Sequence, residues 1–252
     1  IESSFLKMVT CRLLAILGYI SLQADPAQIS NQLVQSHSSW APISSQLTNV
    51  TVITALVAGK VVAIMIEGER VYLRPLTEED LPKVLLWNLD EDLSEYLDSE
   101  LPTSLEECKE WHAQMKSDRY AQVFGIVFYH NHLLIGDVEL INITWRNGHA
   151  ELRIRIGEKD FWNQGLGTET LHLLLGYVFH QLKLERIYLR VYETNKRAIR
   201  CYRKAGFSFE GKLKRSRDFP DGHDTIILMH ILKADFLALE KQWRKDLSRQ
   251  VG

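Results

Sequence analysis

The feature that most constrains this chain is a junction between a strand and a helix. Ile154-Arg155-Ile156-Gly157 reads as a strand end, and Phe161-Trp162-Asn163-Gln164-Gly165-Leu166-Gly167-Thr168-Glu169 leads from it into an apolar helix. Two glycines at such a junction let the backbone pass close to a ligand, and the first amides of the helix point outward without intrahelical partners. Backed by the helix dipole, those amides form a cradle for a pyrophosphate that needs no Lys or Arg. A bare GxG can equally do no more than shape a turn. Two commoner phosphate loops do not fit. The Lys-Ser/Thr of a P-loop is missing, and Thr170 stands where a dinucleotide fingerprint needs its third glycine.

The rest of the chain narrows the setting. With 252 residues, 46% of them hydrophobic and 25% charged, it has room for one large domain, with or without an appendage. A formal net charge of -2, with the two signs interspersed, gives no basic field for nucleic acid. Small-molecule or protein substrates are favoured. The three cysteines, Cys11, Cys108 and Cys201, form no CxxC and have no His at metal-ligand spacing, so neither a disulfide framework nor a metal site is expected. His130 and His132 flank a turn and read as solvated.

Hydrophobic periodicity maps residues 70–233 as an α/β chain. Arg70–Arg74 alternates as a strand ended by Pro75, and Thr77-Glu78-Glu79-Asp80 has the form of a capping box opening a helix with Leu81, Val84, Leu85 and Trp87. Thr103 or Ser104 starts a second helix. Three strands follow, Gln122–Tyr129, Leu133–Thr144 and His149–Gly157, with an Asn147-Gly148 hairpin signal, and a meander is the simplest way to join them. Next come a helix over 167–182, a strand over 186–192, a helix over 196–204, strands near 207–213 and 225–233, and a helical tail over 234–247.

Residues 1–64 differ in character. They carry few charges, and the middle, Ser21–Asn49, is rich in Ser, Gln and Asn and reads as linker or disorder. The apolar run Val9–Ile20 resembles a signal-peptide core with a poor cleavage site. The run Val50–Ile66, with Lys60 inside it, falls short of a membrane span. The chain begins with Ile1, and Met65 is an alternative start. The expected organisation is therefore an N-terminal extension at 1–64, partly disordered or lying upstream of the true start, a catalytic domain at 65–233, and a C-terminal helix and tail at 234–252.

Two linked blocks carry a resemblance. The run Ala150–Gly157 through Gly165–Glu169 resembles the central acetyl-CoA motif of the GNAT superfamily of N-acetyltransferases, and Tyr188–Phe207, ending in Tyr202 and Gly206-Phe207, is similar to the strand and helix that complete its cofactor site. The branch it looks closest to includes ribosomal-protein N-terminal acetyltransferases and spermidine acetyltransferases. Trp162 stands where other branches carry Gln or Arg. Asn163 departs from the usual Gly, and Asn tolerates unusual backbone angles.

The resemblance implies a GNAT fold: a mixed central sheet of about seven strands with flanking helices, and acetyl-CoA as co-substrate in the splay between the central strands. Ile154, Arg155 and Ile156 would offer strand edge to the pantetheine arm, and a strand amide there would donate to the thioester oxygen. Trp162, Asn163, Gln164, Gly165, Leu166, Gly167 and Thr168 would form the phosphate loop, with Asn195 bonding to the pantetheine arm. A primary amine would attack directly in a ternary complex, and Tyr202, a phenol protonated at neutral pH, would protonate the departing thiolate. Glu151 is the first choice for a base, with Glu139 and Asp137 as alternatives; Glu151 can equally be a paired strand carboxylate, and no dedicated base need exist.

The expected acceptor is a protein N-terminus, a polyamine or another small amine, and the acidic residues Glu91, Asp92, Glu95, Asp98 and Glu100 suit a cationic one. A cytoplasmic location fits, since acetyl-CoA must be present. No nucleic-acid partner is expected, a membrane is disfavoured, and a homo-oligomer stays open. Lys212–Arg217 reads as a solvated hairpin or as a binding site for an acidic partner or the CoA 3′-phosphate. The alternative from another class is a non-catalytic CoA-sensing or partner-binding module of the same fold.

Overall fold

The computed structural model describes residues 51–57, 60–94, 96, 101–214 and 225–250. The runs 1–49 and 215–217, together with Glu95, Asp98 and Glu100, on which some expectations rest, lie outside the described residues.

Strand-forming sequence begins earlier than the expected domain start. Residues inside the apolar run weighed as a membrane span form β1 (Thr51–Val57) and β2 (Lys60–Glu67), an antiparallel hairpin running from Thr51↔Glu67 to Val57↔Lys60. Val, Ile and Thr dominate both halves, and β-branched side chains suit a pleated surface better than a helix. The hairpin crosses Met65, which pairs with Ile53, and Ile66 is fully buried in the core. Among the described residues no helix is long and apolar enough to cross a membrane.

From the hairpin the chain continues through β3 (Val71–Pro75), α1 (Leu81–Asn88), a short α2 (Glu91–Ser94) and α3 (Leu105–Ser117). The meander follows as β4 (Gln122–Phe128), β5 (Leu133–Thr144) and β6 (His149–Ile156). Then come α4 (Leu166–His180), β7 (Arg186–Tyr192), α5 (Lys196–Lys204), β8 (Ser208–Lys214), β9 (Thr225–Leu232) and α6 (Lys233–Gln250). Among the described residues the sheet has nine strands, against about seven expected, in the order β1-β2-β3-β4-β5-β6-β7-β9-β8. Every pairing is antiparallel except β6 with β7, because the α4 crossover between those two returns the chain in the same direction.

Alternation along the strands separates two faces. Leu73, Ile126, Val138, Leu140 and Leu152 share one core with Leu171, Leu174 and Val178 of α4, a helix apolar nearly all round. Phe236 of α6 extends this core, its ring 5.3 Å from that of Phe179. The opposite face is polar and is tied to α1. The expected capping box is present: the Asp80 carboxylate accepts from Thr77 N–H and Oγ1, both at 2.8 Å. Asp80 also accepts twice from the Arg74 guanidinium, at 2.6 and 2.8 Å. Burial disfavours its charge, but Arg74 and Thr77 outweigh that and hold the carboxyl below its ordinary value.

Gly136 of β5 lies opposite Ile156 of β6, and a Cβ there would sit 2.1 Å from the Arg155 carbonyl oxygen. Backbone cannot yield as a side-chain tip can. Gly136→Ala is therefore expected to cost on the order of 1–3 kcal/mol, read as a lower urea midpoint at unchanged slope.

Candidate active site

β6 and β7 are paired at only three positions, His149↔Arg186, Ala150↔Ile187 and Glu151↔Tyr188. Beyond them the two strands part, while β6 stays paired with β5 as far as Ile156↔Gly136. A wedge opens between the strands. The Gly157 amide donates to Ile135 O on β5 at 2.9 Å. By strand alternation the backbone groups of Arg153 and Arg155 also face β5, and those of Leu152, Ile154 and Ile156 face the wedge. Of the three expected edge residues, Ile154 and Ile156 present backbone to the cleft. The Ile156 carbonyl already accepts from Trp162 Nε1 at 2.7 Å, and the Arg155 side chain is bound to Asp137 Oδ2 at 2.7 and 3.0 Å and to Asn88 Oδ1 at 2.7 Å.

The loop beyond β6 forms the floor of the cleft. Asn163 has φ 61°, the left-handed conformation that Asn tolerates, and Gly165 follows at φ 80° as the N-cap of α4. The Glu169 amide makes the first bond of the helix, to Gly165 O, leaving the amides of Leu166, Gly167 and Thr168 ahead of it without intrahelical partners. Asn163, Gly165, Leu166, Gly167 and Thr168 line the cleft together with Trp162. Gln164 does not line it. Its side chain donates to Asp160 O at 2.6 Å, and its carbonyl accepts from Arg70 Nη1 at 2.9 Å. Arg70 also donates through Nε to Glu169 Oε2 at 2.8 Å, so the first turn of α4 is tied back to β3.

α5 forms the far wall. Asn195 lines the cleft, and its Oδ1 caps α5 by accepting from the Ala198 amide at 3.0 Å. Arg197 stacks on the Trp162 ring, 3.4 Å from its centroid. Tyr202 also lines the cleft, 7% exposed, with its ring edge-on to Phe207. Burial, aided by the neighbouring Cys201, pushes its phenol far above the ordinary value, so it carries its proton at any physiological pH. The cleft can thus hold an anion on amides, an extended arm along a strand edge and a proton donor at one wall. No metal-ligating group of three or more His, Cys, Asp and Glu is present among the described residues.

Three carboxylates on the polar face have different partners. Glu151, 3% exposed, accepts from Asn142 Nδ2 at 3.1 Å and from Arg190 Nε at 3.0 Å, with Arg153 Nε at 3.7 Å. Asn142 reaches it from an irregularity in the β5–β6 register, where its own φ is 53°. Asp137 is held by Arg155. Glu139, opposite Arg153, has no hydrogen bond to its carboxylate among the described residues. Burial first, then the like charge of Asp137, push it up to about 7, against the pull of Arg153. It sits one strand away from the lining of the cleft. Of the acidic cluster, Asp92 binds Lys159 at 2.6 Å, as does the neighbouring Asp90 at 2.8 Å, and Asp92 lines the cleft beside Leu93 and Tyr96.

Because folding raises the Glu139 carboxyl above its ordinary 4.5, the folded chain binds that proton more tightly than the unfolded one. The resulting stability is complete at low pH and is lost as pH rises through about 7. At pH 8, Glu139→Gln is expected to be at least as stable as the wild type. Glu151→Gln, which removes the charge facing Arg190 and Arg153, should lose about 1–3 kcal/mol in the same urea titration.

Sequence comparison matches residues 70–208 to the family described as acetyltransferase (GNAT) domain. Spermidine N(1)-acetyltransferase of Escherichia coli (strain K12) is 30% identical over 177 residues, covering 70% of this chain and 94% of that protein. The Vibrio cholerae enzyme of the same name is 29% identical over 165 residues, 66% of this chain and 94% of its own. Among solved structures, spermidine N-acetyltransferase from Vibrio cholerae in complex with CoA and spermine aligns with a TM-score of 0.62 at 28% identity, over 67% of this chain and 98% of that one.

Proposed function

As the chain belongs to the GNAT acetyltransferase family, we propose that this acetyl-CoA-dependent N-acetyltransferase acts on a polyamine of the spermidine class, in the cytoplasm where the acetyl donor is found. The cofactor reading is carried by the wedge between β6 and β7, closed below by the amides of Leu166, Gly167 and Thr168, which have no intrahelical partners. The polyamine reading is supported by the similarity to spermidine acetyltransferases and by carboxylates at and beside the cleft, Asp92 and Glu139 among them.

Acetyl-CoA supplies an acyl thioester. The amides of 166–168 bind its pyrophosphate with the α4 dipole behind them. The wedge-facing groups of Leu152, Ile154 and Ile156 align the extended arm, and the Ile154 amide stands ready to donate to an oxygen that gains negative charge. Tyr202 holds a proton at its hydroxyl for the departing sulfur. The amine must shed a proton before it attacks. Glu139, raised to about 7 and without a hydrogen bond to its carboxylate among the described residues, takes that proton through an intervening water. Glu151, the first choice from the sequence, instead serves as a fixed counter-charge for Arg190 and Arg153.

Release of free CoA thiol from acetyl-CoA by the full chain is the decisive assay, with spermidine, spermine, an amino-sugar antibiotic and a short peptide as acceptors. Polyamine-dependent release is the expected result. Release with the peptide alone would move the acceptor to protein N-termini, and CoA binding without release for any amine would favour a sensing module. Tyr202→Phe should lower kcat about 100-fold while keeping CoA affinity. In a second comparison, the rate should rise with pH through about 7 in the wild type, and Glu139→Gln should flatten that limb while Glu151→Gln leaves its position unchanged.

A further inference from the structure

We infer that the basic stripe of α5 recognises the 3′-phosphate of CoA, making this enzyme selective for CoA over dephospho-CoA; the inference rests on the acetyl-CoA reading of the cleft. Arg197, Arg200, Cys201 and Lys204 fall at i, i+3, i+4 and i+7 and so share one face of α5, and all four line the cleft. Cys201 Sγ lies 3.4 Å from Thr168 Oγ1, which sets the stripe directly beside the amide cradle.

The charge on this stripe is uncompensated. Among the described residues no carboxylate forms an ion pair with Arg197, Arg200 or Lys204. Other cations near the cleft and the sheet do have carboxylate partners, among them Lys159 with Asp90 and Asp92, Arg186 with Glu210, and Lys233 with Glu185. Lys212, from the basic run that the sequence offers as a phosphate site, bonds to Glu193 at 2.6 Å and does not line the cleft.

Placing like charges along one wall of a cleft raises the local potential and favours an anion there. The pyrophosphate is already met by the amides of 166–168, so the charge left to satisfy is a second phosphate group close by. A 3′-phosphomonoester carries close to two negative charges near neutrality and offers three acceptor oxygens. Arg200 can take two of them in a fork, with the Lys204 ammonium one turn further along. Arg197 is held against Trp162 nearer the loop, which leaves Arg200 and Lys204 as the pair free to close on the monoester.

Calorimetric titration of the full chain with CoA and with dephospho-CoA tests this without turnover. The wild type should bind CoA roughly tenfold more tightly, and the preference should shrink in about 0.5 M salt. The double variant Arg200→Gln, Lys204→Gln should bind the two ligands alike, with its affinity for dephospho-CoA unchanged, which also shows that the cleft is intact. Equal affinities in the wild type would overturn the inference on their own, as would a double variant that keeps the preference. A wild type that binds neither ligand would instead overturn the acetyl-CoA reading.

Discussion

The architecture depends on one broken pairing. β6 is paired with β5 from Glu151 to Ile156 and again at His149, yet it shares only three residue pairs with its parallel neighbour β7. Backbone groups exposed in this way are costly unless a partner arrives, whether water or a ligand. The fold keeps the break open from both sides. α4 leaves β6 through the left-handed residues Asn163 and Gly165, and α5 stands against the opposite wall through Cys201 and Arg197. The strand edge, the free helix amides and the basic stripe are therefore consequences of the same divergence.

Charge on the polar face is arranged with equal economy. Three carboxylates reach it from neighbouring strands, and two are neutralised by arginines, so the third stands out as the group able to change protonation near neutral pH. The pairing of Glu151 depends on Asn142, whose left-handed backbone at the β5 irregularity turns its amide toward the carboxylate. An irregular position in one strand thereby supplies a hydrogen bond to a carboxylate in the next.

Much of this was legible from the chain alone. The elements of 70–233 follow from apolar periodicity, turn signals and caps, each a local effect of side-chain chemistry on its own backbone. Ser104 caps α3 through Glu107 N–H, and Asn195 caps α5. The loop Trp162–Thr168 was legible for the same reason: a GxG between strand and helix can be recognised without knowing what lies across from it. The N-terminal hairpin was not, because a continuous apolar run of that length reads alike as strand pair or span until the partner strand β3 is in place.

What only the tertiary structure decided is which charges meet. Glu151, Glu139 and Asp137 are equivalent in sequence, as acidic residues on two adjacent strands, and their roles diverge only through register: Arg155 falls opposite Asp137, Arg190 comes to Glu151 from a strand about 39 positions away in sequence, and Glu139 has no such bond among the described residues. The stripe on α5 likewise takes its meaning only from the cradle beside it. The sequence by itself determined the elements and the phosphate loop, because those arise from neighbours along the chain. The tertiary structure decided ionisation and the surroundings of each cation, because Coulomb interactions and desolvation depend on distance in space.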